Sequence, residues 1–257
     1  MKQGGEIMAI KSFKRYEKKY MLTTEQYKRL LPRLLEYMNP DEHCKNGEHY
    51  NIYNVYYDTE SSDVIRHSIS KPYYKEKLRM RSYNIPSSPK DKVFLELKKK
   101  IDGIVNKRRV VITLEEAYKF LQTGVKPKAN DYRDKQVVNE IEYYLKKNFV
   151  YPAVYIGYQR KAYFGKENSD FRLTFDFKVL TRRENVSLEA GYYGEDILES
   201  GYCLMEVKIL GAMPLWFVSI LSELSIYSTN FSKYGTEYKN YAAFIKNNQV
   251  RRLNKIC

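Results

Sequence analysis

The chain has 257 residues, with 45 Lys and Arg against 31 Asp and Glu, for a formal charge of +14. Its 26 tyrosines and 11 phenylalanines exclude a solvated coil, and 43% hydrophobic residues suffice for a substantial core. The longest near-continuous apolar run, Ala212 to Leu221, is too short to span a bilayer, and Met1 to Lys11 carries no apolar signal region.

In chain order, a strand is expected over 13–20, then a helix from Thr24 to about Met38 opened by a Thr23/Gln26 capping box and interrupted by Pro32. Strands follow over 50–58, 74–83, 92–100 and 107–113, with Asn84 to Lys90 reading as a hairpin connection. Thr113 with Glu116 opens a short helix ending near Gly124, and Asp134 to about Lys147 carries apolar residues at helical spacing. Strands are expected again over 154–163, 171–180 and 202–210, with Gly165 to Asp170 as a second hairpin. Pro214 to Leu224 and Gly235 to about Lys246 read as helices, the first apolar enough to pack as core. No linker marks a boundary, so 1–257 is expected to form a single domain with its core at about 13–245.

Net positive charge points to polyanionic partners: nucleic acid, an anionic membrane surface or phosphorylated small molecules. The patterning chooses among them. Side chains on a strand alternate between faces, and here several strands set an apolar face against a face of specific charges. Lys75, Lys77, Arg79 and Arg81 oppose Leu78 and Met80; Glu96 and Lys98 oppose Leu95 and Leu97. Arg172, Thr174, Asp176 and Lys178 alternate with Leu173, Phe175, Phe177 and Val179, while Glu206 and Lys208 oppose Met205, Val207 and Ile209. Arg15, Glu17 and Lys19 share a face, as do Tyr158 and Arg160. One such strand is an ordinary half-solvated strand; six are more than that. If the sheet closes into a barrel or tunnel with helices outside, the charged faces converge on one lumen. Roughly eight cations and about four carboxylates in a lumen are tolerable only with water or a polyanion inside. A chain of phosphates fits that lumen.

The carboxylates among those cations read as ligands for Mg²⁺ or Mn²⁺, which take one or two carboxylates plus substrate phosphates. Glu206 and Glu17 lead, with Glu96 next; the competing reading is that each simply pairs with a neighbouring Lys or Arg.

In order along the chain stand RYEKKY at 15–20, Tyr57-Asp58-Thr59, KLRMR at 77–81, LELKKK at 95–100, Tyr158-Gln159-Arg160, Arg172 with Asp176, Met205-Glu206-Val207-Lys208, and Phe231-Ser232-Lys233-Tyr234. Together they resemble the VTC domain, a family of the triphosphate tunnel metalloenzymes, over about residues 13 to 245. The resemblance implies an α+β fold: an antiparallel β-barrel or tunnel of about eight strands with helices packed outside. It also implies an ATP-dependent polyphosphate polymerase that releases ADP and uses Mn²⁺ or Mg²⁺. Carried over by position, Lys19, Arg79, Arg81, Lys98, Arg160, Arg172 and Lys233 would act on the phosphates, and Glu206 would hold the metal. Ser232 at the start of the last helix would contact the terminal phosphate. Lys77, Lys208 and Tyr158 share the same faces and are expected along the substrate path. Two departures stand out: the superfamily's ExExK opening has Arg15 in place of its first glutamate, and Asn230 stands where the family can carry a basic residue. The first weakens a hydrolase reading.

The alternatives are a tunnel triphosphatase and a non-catalytic polyphosphate or polyanion-binding module. No nucleic-acid partner is expected, since no RRM-like or KH-type segment occurs in a suitable context. Cys44, Cys203 and Cys257 form no CxxC pair, so neither a disulfide framework nor a zinc ribbon is expected, and the cytosol is the expected compartment. His43, Cys44 and His49 match no zinc template and read as a surface loop. The tyrosines read as core and strand residues more than as a base-stacking platform. Lys98 to Lys100 and Lys107 to Arg109 read partly as an outer basic patch for an anionic membrane surface. A membrane protein that exports the product is a candidate partner.

Overall fold

The computed structural model describes residues 15–129 and 131–253. In chain order the elements are β1 (Arg15–Thr23), α1 (Thr24–Tyr37), β2 (Met38–Pro40), a 3₁₀ turn (Glu42–Gly47), β3 (Tyr50–Asp58), α2 (Asp63–Ile69), β4 (Tyr74–Ser82), β5 (Lys92–Ile101) and β6 (Ile104–Thr113). Then follow α3 (Leu114–Thr123), α4 (Tyr132–Lys147), β7 (Tyr151–Gly165), β8 (Arg172–Arg182), β9 (Glu195–Asp196), β10 (Tyr202–Leu210), α5 (Leu215–Glu223) and α6 (Lys233–Leu253).

The strands form one antiparallel sheet in the order β1-β10-β8-β7-β3-β4-β5-β6, with β2 added beside β7 and β9 beside β8. The sheet curls into a tunnel, but among the described residues no strand pairing closes it between β1 and β6. Side chains and a loop fill the seam instead. Lys98 Nζ on β5 reaches Glu17 Oε2 on β1 at 3.5 Å. The chain before α6 lies along the free edge of β1, where Ser228 bridges Tyr20 and the Thr229 N–H donates to the Lys19 carbonyl at 2.7 Å.

Alternation in the sequence becomes two faces. Leu78, Met80, Leu95, Leu97, Val110 and Ile112 point outward and bury Phe120 of α3 and Ile141 and Tyr144 of α4. Leu173, Phe175, Met205 and Val207 do the same for Leu30 and Leu34 of α1 and Phe217 and Ile220 of α5. Each such fully buried side chain contributes about 1.5–3 kcal/mol, so the helices are held outside and the charged faces are left inside. A third cluster packs Ile65 of α2 and Tyr234 of α6 onto Ile156, Val179 and Leu204, on the inner faces of β7, β8 and β10 at one end of the bore.

Both capping boxes form, Thr23 with Gln26 and Thr113 with Glu116. Pro32 does not split α1; it sits on the exposed side, where the carbonyl it leaves unpaired faces water. The short α2, β2 and β9 have no counterpart among the elements read from the sequence. Lys178 also leaves the inward row. Its φ is +45° and the β7–β8 register slips beside it, so Lys178 is exposed and Val179 turns inward. Among the described residues, no helix is long and apolar enough to cross a membrane.

Candidate active site

The pairing register sets the inward residues side by side. On one wall, Glu17 lies opposite Lys208 and Lys19 opposite Glu206, and Lys208 and Glu206 in turn face Arg172 and Thr174 of β8. Asp176 pairs with Arg160 across β8 and β7. On the other wall, Tyr56 pairs with Arg79, Arg79 with Glu96, and Glu96 with Arg109.

The first wall centres on Asp176, which is fully buried. Arg160 grips it in a fork, Nε to Oδ1 at 2.6 Å and a terminal nitrogen to Oδ2 at 2.7 Å. Lys233, the first residue of α6, donates to the same Oδ2 at 2.5 Å and to Glu206 Oε1 at 3.2 Å. Arg160 also lies 3.5 Å from Glu206 Oε2, and Lys19 lies 3.6 Å from both Glu206 and Glu17. Burial works against ionisation of both acids. The attraction of Arg160 and Lys233 nevertheless holds Asp176 below the usual carboxylate range, and Lys233, Lys19 and Arg160 hold Glu206 well below it. Glu17, against the pull of burial, is lowered to about 2 by Lys98 and Lys19.

Asp58 and Ser232 position Lys233. Asp58 accepts the Val64 and Ile65 N–H groups at 2.9 and 3.0 Å and the Tyr234 hydroxyl at 2.6 Å, tying α2 to α6 at the end of β3. The Ser232 hydroxyl accepts the Gly235 N–H at 3.3 Å, capping α6. A Cβ at Gly235 would lie 3.2 Å from the Ser232 Cβ, so a small residue there lets the cap close.

The second wall centres on Glu96, also fully buried. Arg79 Nε reaches it at 2.7 Å, Arg109 Nε at 2.6 Å and Lys107 Nζ at 2.9 Å, with Arg81 Nε at 3.9 Å. Four cations share one carboxylate, and they hold Glu96 ionised far below its ordinary range despite burial. Arg81 Nε also donates to Asn54 Oδ1 at 2.8 Å, and Arg79 to the Tyr56 hydroxyl at 3.1 Å. Tyr158 joins the walls: its hydroxyl accepts from Arg81 at 3.1 Å, while Lys233 Nζ and the Arg160 guanidinium lie 4.6 and 5.1 Å from its ring centre.

Of the residues singled out in the sequence, Lys19, Arg79, Arg81, Lys98, Arg160, Lys233, Lys77, Lys208, Tyr158, Glu17, Glu96 and Glu206 converge on the bore. Arg172 sits at its rim, exposed, donating to the Ser169 carbonyl at 3.2 Å. Lys77 donates to the Ser68 hydroxyl at 3.0 Å. Burial and the neighbouring lysines push Lys77 down to about 7, and burial with Arg160 pushes Lys208 down to about 8. The Arg15 side chain lies outside the described residues, and Asn230 is exposed.

The outer basic patch divides by parity: Lys98, Lys107 and Arg109 turn inward, whereas Lys99 and Arg108 turn out to Glu140 of α4 at 2.8 and 3.1 Å. The sequence reading gave no role to Asp176, Thr174, Asn54 or Tyr56. Asp176 and Thr174 were legible as inward positions of their strand, but nothing local says that Asp176 is the buried anchor for two cations.

The donor chemistry suits a divalent ion that arrives with phosphate. Among the described residues no three acidic, His or Cys side chains gather closely enough to cage a metal, so the protein alone makes no all-protein site. Glu17 and Glu206, joined through Lys19, are kept ionised, and the buried Thr174 hydroxyl, in register with Glu206, has no hydrogen-bond partner among the described residues. One or two carboxylates plus a hydroxyl and substrate oxygens are the set that Mg²⁺ or Mn²⁺ takes. Glu96, third in the expected metal set, is placed differently: three cations lie within 3 Å of its oxygens, which occupies the lone pairs a metal would use.

Two solved proteins, each named a "putative adenylate cyclase", are similar to the chain, and the first shares its fold. The Bacillus halodurans protein is 15% identical with a TM-score of 0.50, the match covering 85% of this chain and 95% of that one. The Vibrio parahaemolyticus protein is 10% identical with a TM-score of 0.46, covering 88% and 98%. No curated protein sequence matches the chain. A family model for the VTC domain matches residues 14–241, which takes in both tunnel walls, the segment along the β1 edge and the first turns of α6. With that match on top of the inward-facing register, the chain belongs to the VTC domain family.

Proposed function

We propose that the protein is a metal-assisted phosphotransferase that moves the γ-phosphoryl group of ATP onto the end of an inorganic polyphosphate chain held in the tunnel. Membership of the VTC family and the tunnel fold support an enzyme acting on triphosphates. The observation that carries the finer reading is the charge balance of the bore. The Glu96 wall sets four basic side chains on one acid, and Lys77 and Lys208, pushed down by burial and neighbouring cations, are groups that a bound anion would charge. Linked phosphates supply the missing negative charge along the whole path.

In this reading a terminal phosphate oxygen of the chain attacks the γ-phosphorus in line, the bond to the β-phosphate oxygen breaks, and ADP leaves. An ionised phosphate oxygen is already a nucleophile, so no Ser, Cys or His is needed, and catalysis is positioning plus charge stabilisation. Arg79, Arg81, Lys98 and Lys77 grip one stretch of phosphates. Arg160 and Lys233, aimed by Asp176, hold the transferring group, with the N-terminus of α6 and Ser232 beside it. Lys19, Lys208 and Arg172 line the way along the β1–β10–β8 wall. Glu206 and Glu17, with the Thr174 hydroxyl, would hold the divalent ion. When bound, Mn²⁺ or Mg²⁺ neutralises charge on the phosphate oxygens.

The test is to incubate the protein with ATP and Mn²⁺ and run the products on a polyacrylamide gel stained for polyphosphate. A ladder is expected. Orthophosphate without polymer would make the protein a triphosphatase, and unchanged ATP would reduce it to a polyanion-binding module.

A further inference from the structure

At one mouth of the tunnel the inward rows change character together. The row on β3 runs Tyr56, Asn54, Ile52 and ends in Tyr50; that on β4 runs Arg79, Arg81 and ends in Tyr83 just past the strand. On β5 the row Lys98, Glu96 ends in Phe94, and on β6 Lys107, Arg109 ends in Val111. Three neighbouring strands thus pass from charge to ring or apolar surface at the same rim, and the uncharged row of β3 ends there in a ring as well.

The rings form a continuous shelf. Tyr50 and Tyr83 have centroids 6.1 Å apart, Tyr83 and Phe94 5.4 Å, and His43 extends the row 5.8 Å beyond Tyr50. They are tilted or edge-on, at 54° to 80°, and none is stacked on its neighbour, so ring faces are left for a guest. Tyr83 and Val111 are 37% and 42% exposed, unlike the tyrosines of the core. Arg109 braces the shelf: its guanidinium lies 4.3 Å from the Phe94 ring centre and donates to the Tyr83 hydroxyl at 3.5 Å.

We propose that this shelf of Tyr50, Tyr83 and Phe94 binds the base of a nucleoside triphosphate whose phosphates occupy the charged bore. Tyr83 lies two residues past Arg81, Phe94 two residues past Glu96 and Val111 two past Arg109, and two residues along a strand span about 7 Å. One ribose bridges the step from cation to ring. A phosphate chain gains nothing from open aromatic faces, whereas a base gains stacking from each. The inference rests on the triphosphate reading above and adds which end of the nucleotide sits at which mouth.

Binding of ATP and of inorganic tripolyphosphate to the protein, to Tyr83→Ala and to Tyr83→Phe, measured by titration calorimetry, tests it. Tyr83→Ala is expected to weaken ATP on the order of tenfold while leaving tripolyphosphate within about twofold, and Tyr83→Phe to keep ATP near the parent value. If Tyr83→Ala weakens both ligands equally, or neither, while the parent binds tripolyphosphate, the shelf is wrong and the triphosphate reading stands. If the parent binds neither ligand, the triphosphate reading falls and the shelf with it.

Discussion

On the β7–β8–β10 wall, Asp176 and Glu206 share Arg160, Lys233 and Lys19; on the β4–β5–β6 wall, Glu96 stands alone among Arg79, Arg81, Lys107 and Arg109. The first set is near charge balance and is completed by a residue from α6, far along the chain. The second is contiguous hairpin sequence and is several positive charges in excess. Balanced charges hold one another in place without a ligand, which suits groups that must be aimed. Excess charges are tolerated only beside water or an anion, which suits groups that must grip. The two walls divide positioning from holding, and variants can test that division.

The largest effect is expected at the carboxylates. Glu96→Gln keeps the shape and removes the acid that four cations share, and losing one partner of a buried pair costs about 3–5 kcal/mol. Urea unfolding should show that loss, and added tripolyphosphate should restore part of it by replacing the missing charge. Asp176→Asn should cost a similar amount with little recovery, because Arg160 and Lys233 lose the group that aims them rather than a mere counter-charge. Equal recovery in both variants would erase the distinction between the walls.

Next in size is Lys233→Ala. Removing one preorganised cation at a phosphoryl group costs about 2.7–4 kcal/mol of transition-state stabilisation, or about 10²–10³ in kcat. Polymer synthesis from ATP should fall by that factor with KM little changed, since the nearby bore still binds substrate. A change confined to KM would move Lys233 from the aiming wall to the gripping one.

The contrast between the walls also accounts for what the sequence disclosed. Glu96 and Lys98 alternate with Leu95 and Leu97 within five residues, so a strand and its inward face are legible there by parity alone. Parity did not carry through β8, where positive φ at Lys178 turns the strand over; a bulge leaves no reliable mark in composition. Nor did parity separate Lys107 and Arg109 from Arg108 until the register of β6 was known, since three basic residues in a row read the same from either face. Asp176 stands near Arg172 on the same strand, but its bond to Lys233 spans 57 residues and follows only from the path of the chain along the β1 edge. The open seam between β1 and β6 was not legible either, because alternation predicts faces and not whether edges meet.

A smaller effect is expected from pH. Burial among like charges lowers Lys77 to about 7 and Lys208 to about 8 in the free protein. Bound phosphate favours the charged forms and raises both values, so binding takes up protons between those limits. Affinity for tripolyphosphate should therefore fall as pH rises above about 7, and the measured heat at pH 8 should differ between buffers of different ionisation enthalpy. Heats that are identical in Tris and in HEPES would mean that these lysines take up no proton on binding, and the expectation would be wrong.

The smallest effect separates the bore from its rim. Arg172 is exposed and makes one long bond to the Ser169 carbonyl, so water and salt screen whatever it does for a phosphate. Exposed charge contacts are worth about 0.2–1 kcal/mol, at most about fivefold in affinity. Arg172→Ala should raise KM by a few-fold at low salt, leave kcat unchanged, and become indistinguishable from the parent at high salt, because a rim contact serves ground state and transition state alike. Steady-state kinetics at two ionic strengths would show it. A hundredfold loss of kcat at either salt would place Arg172 among the groups that Asp176 aims, and the line between holding and positioning would then have to be drawn through β8 itself.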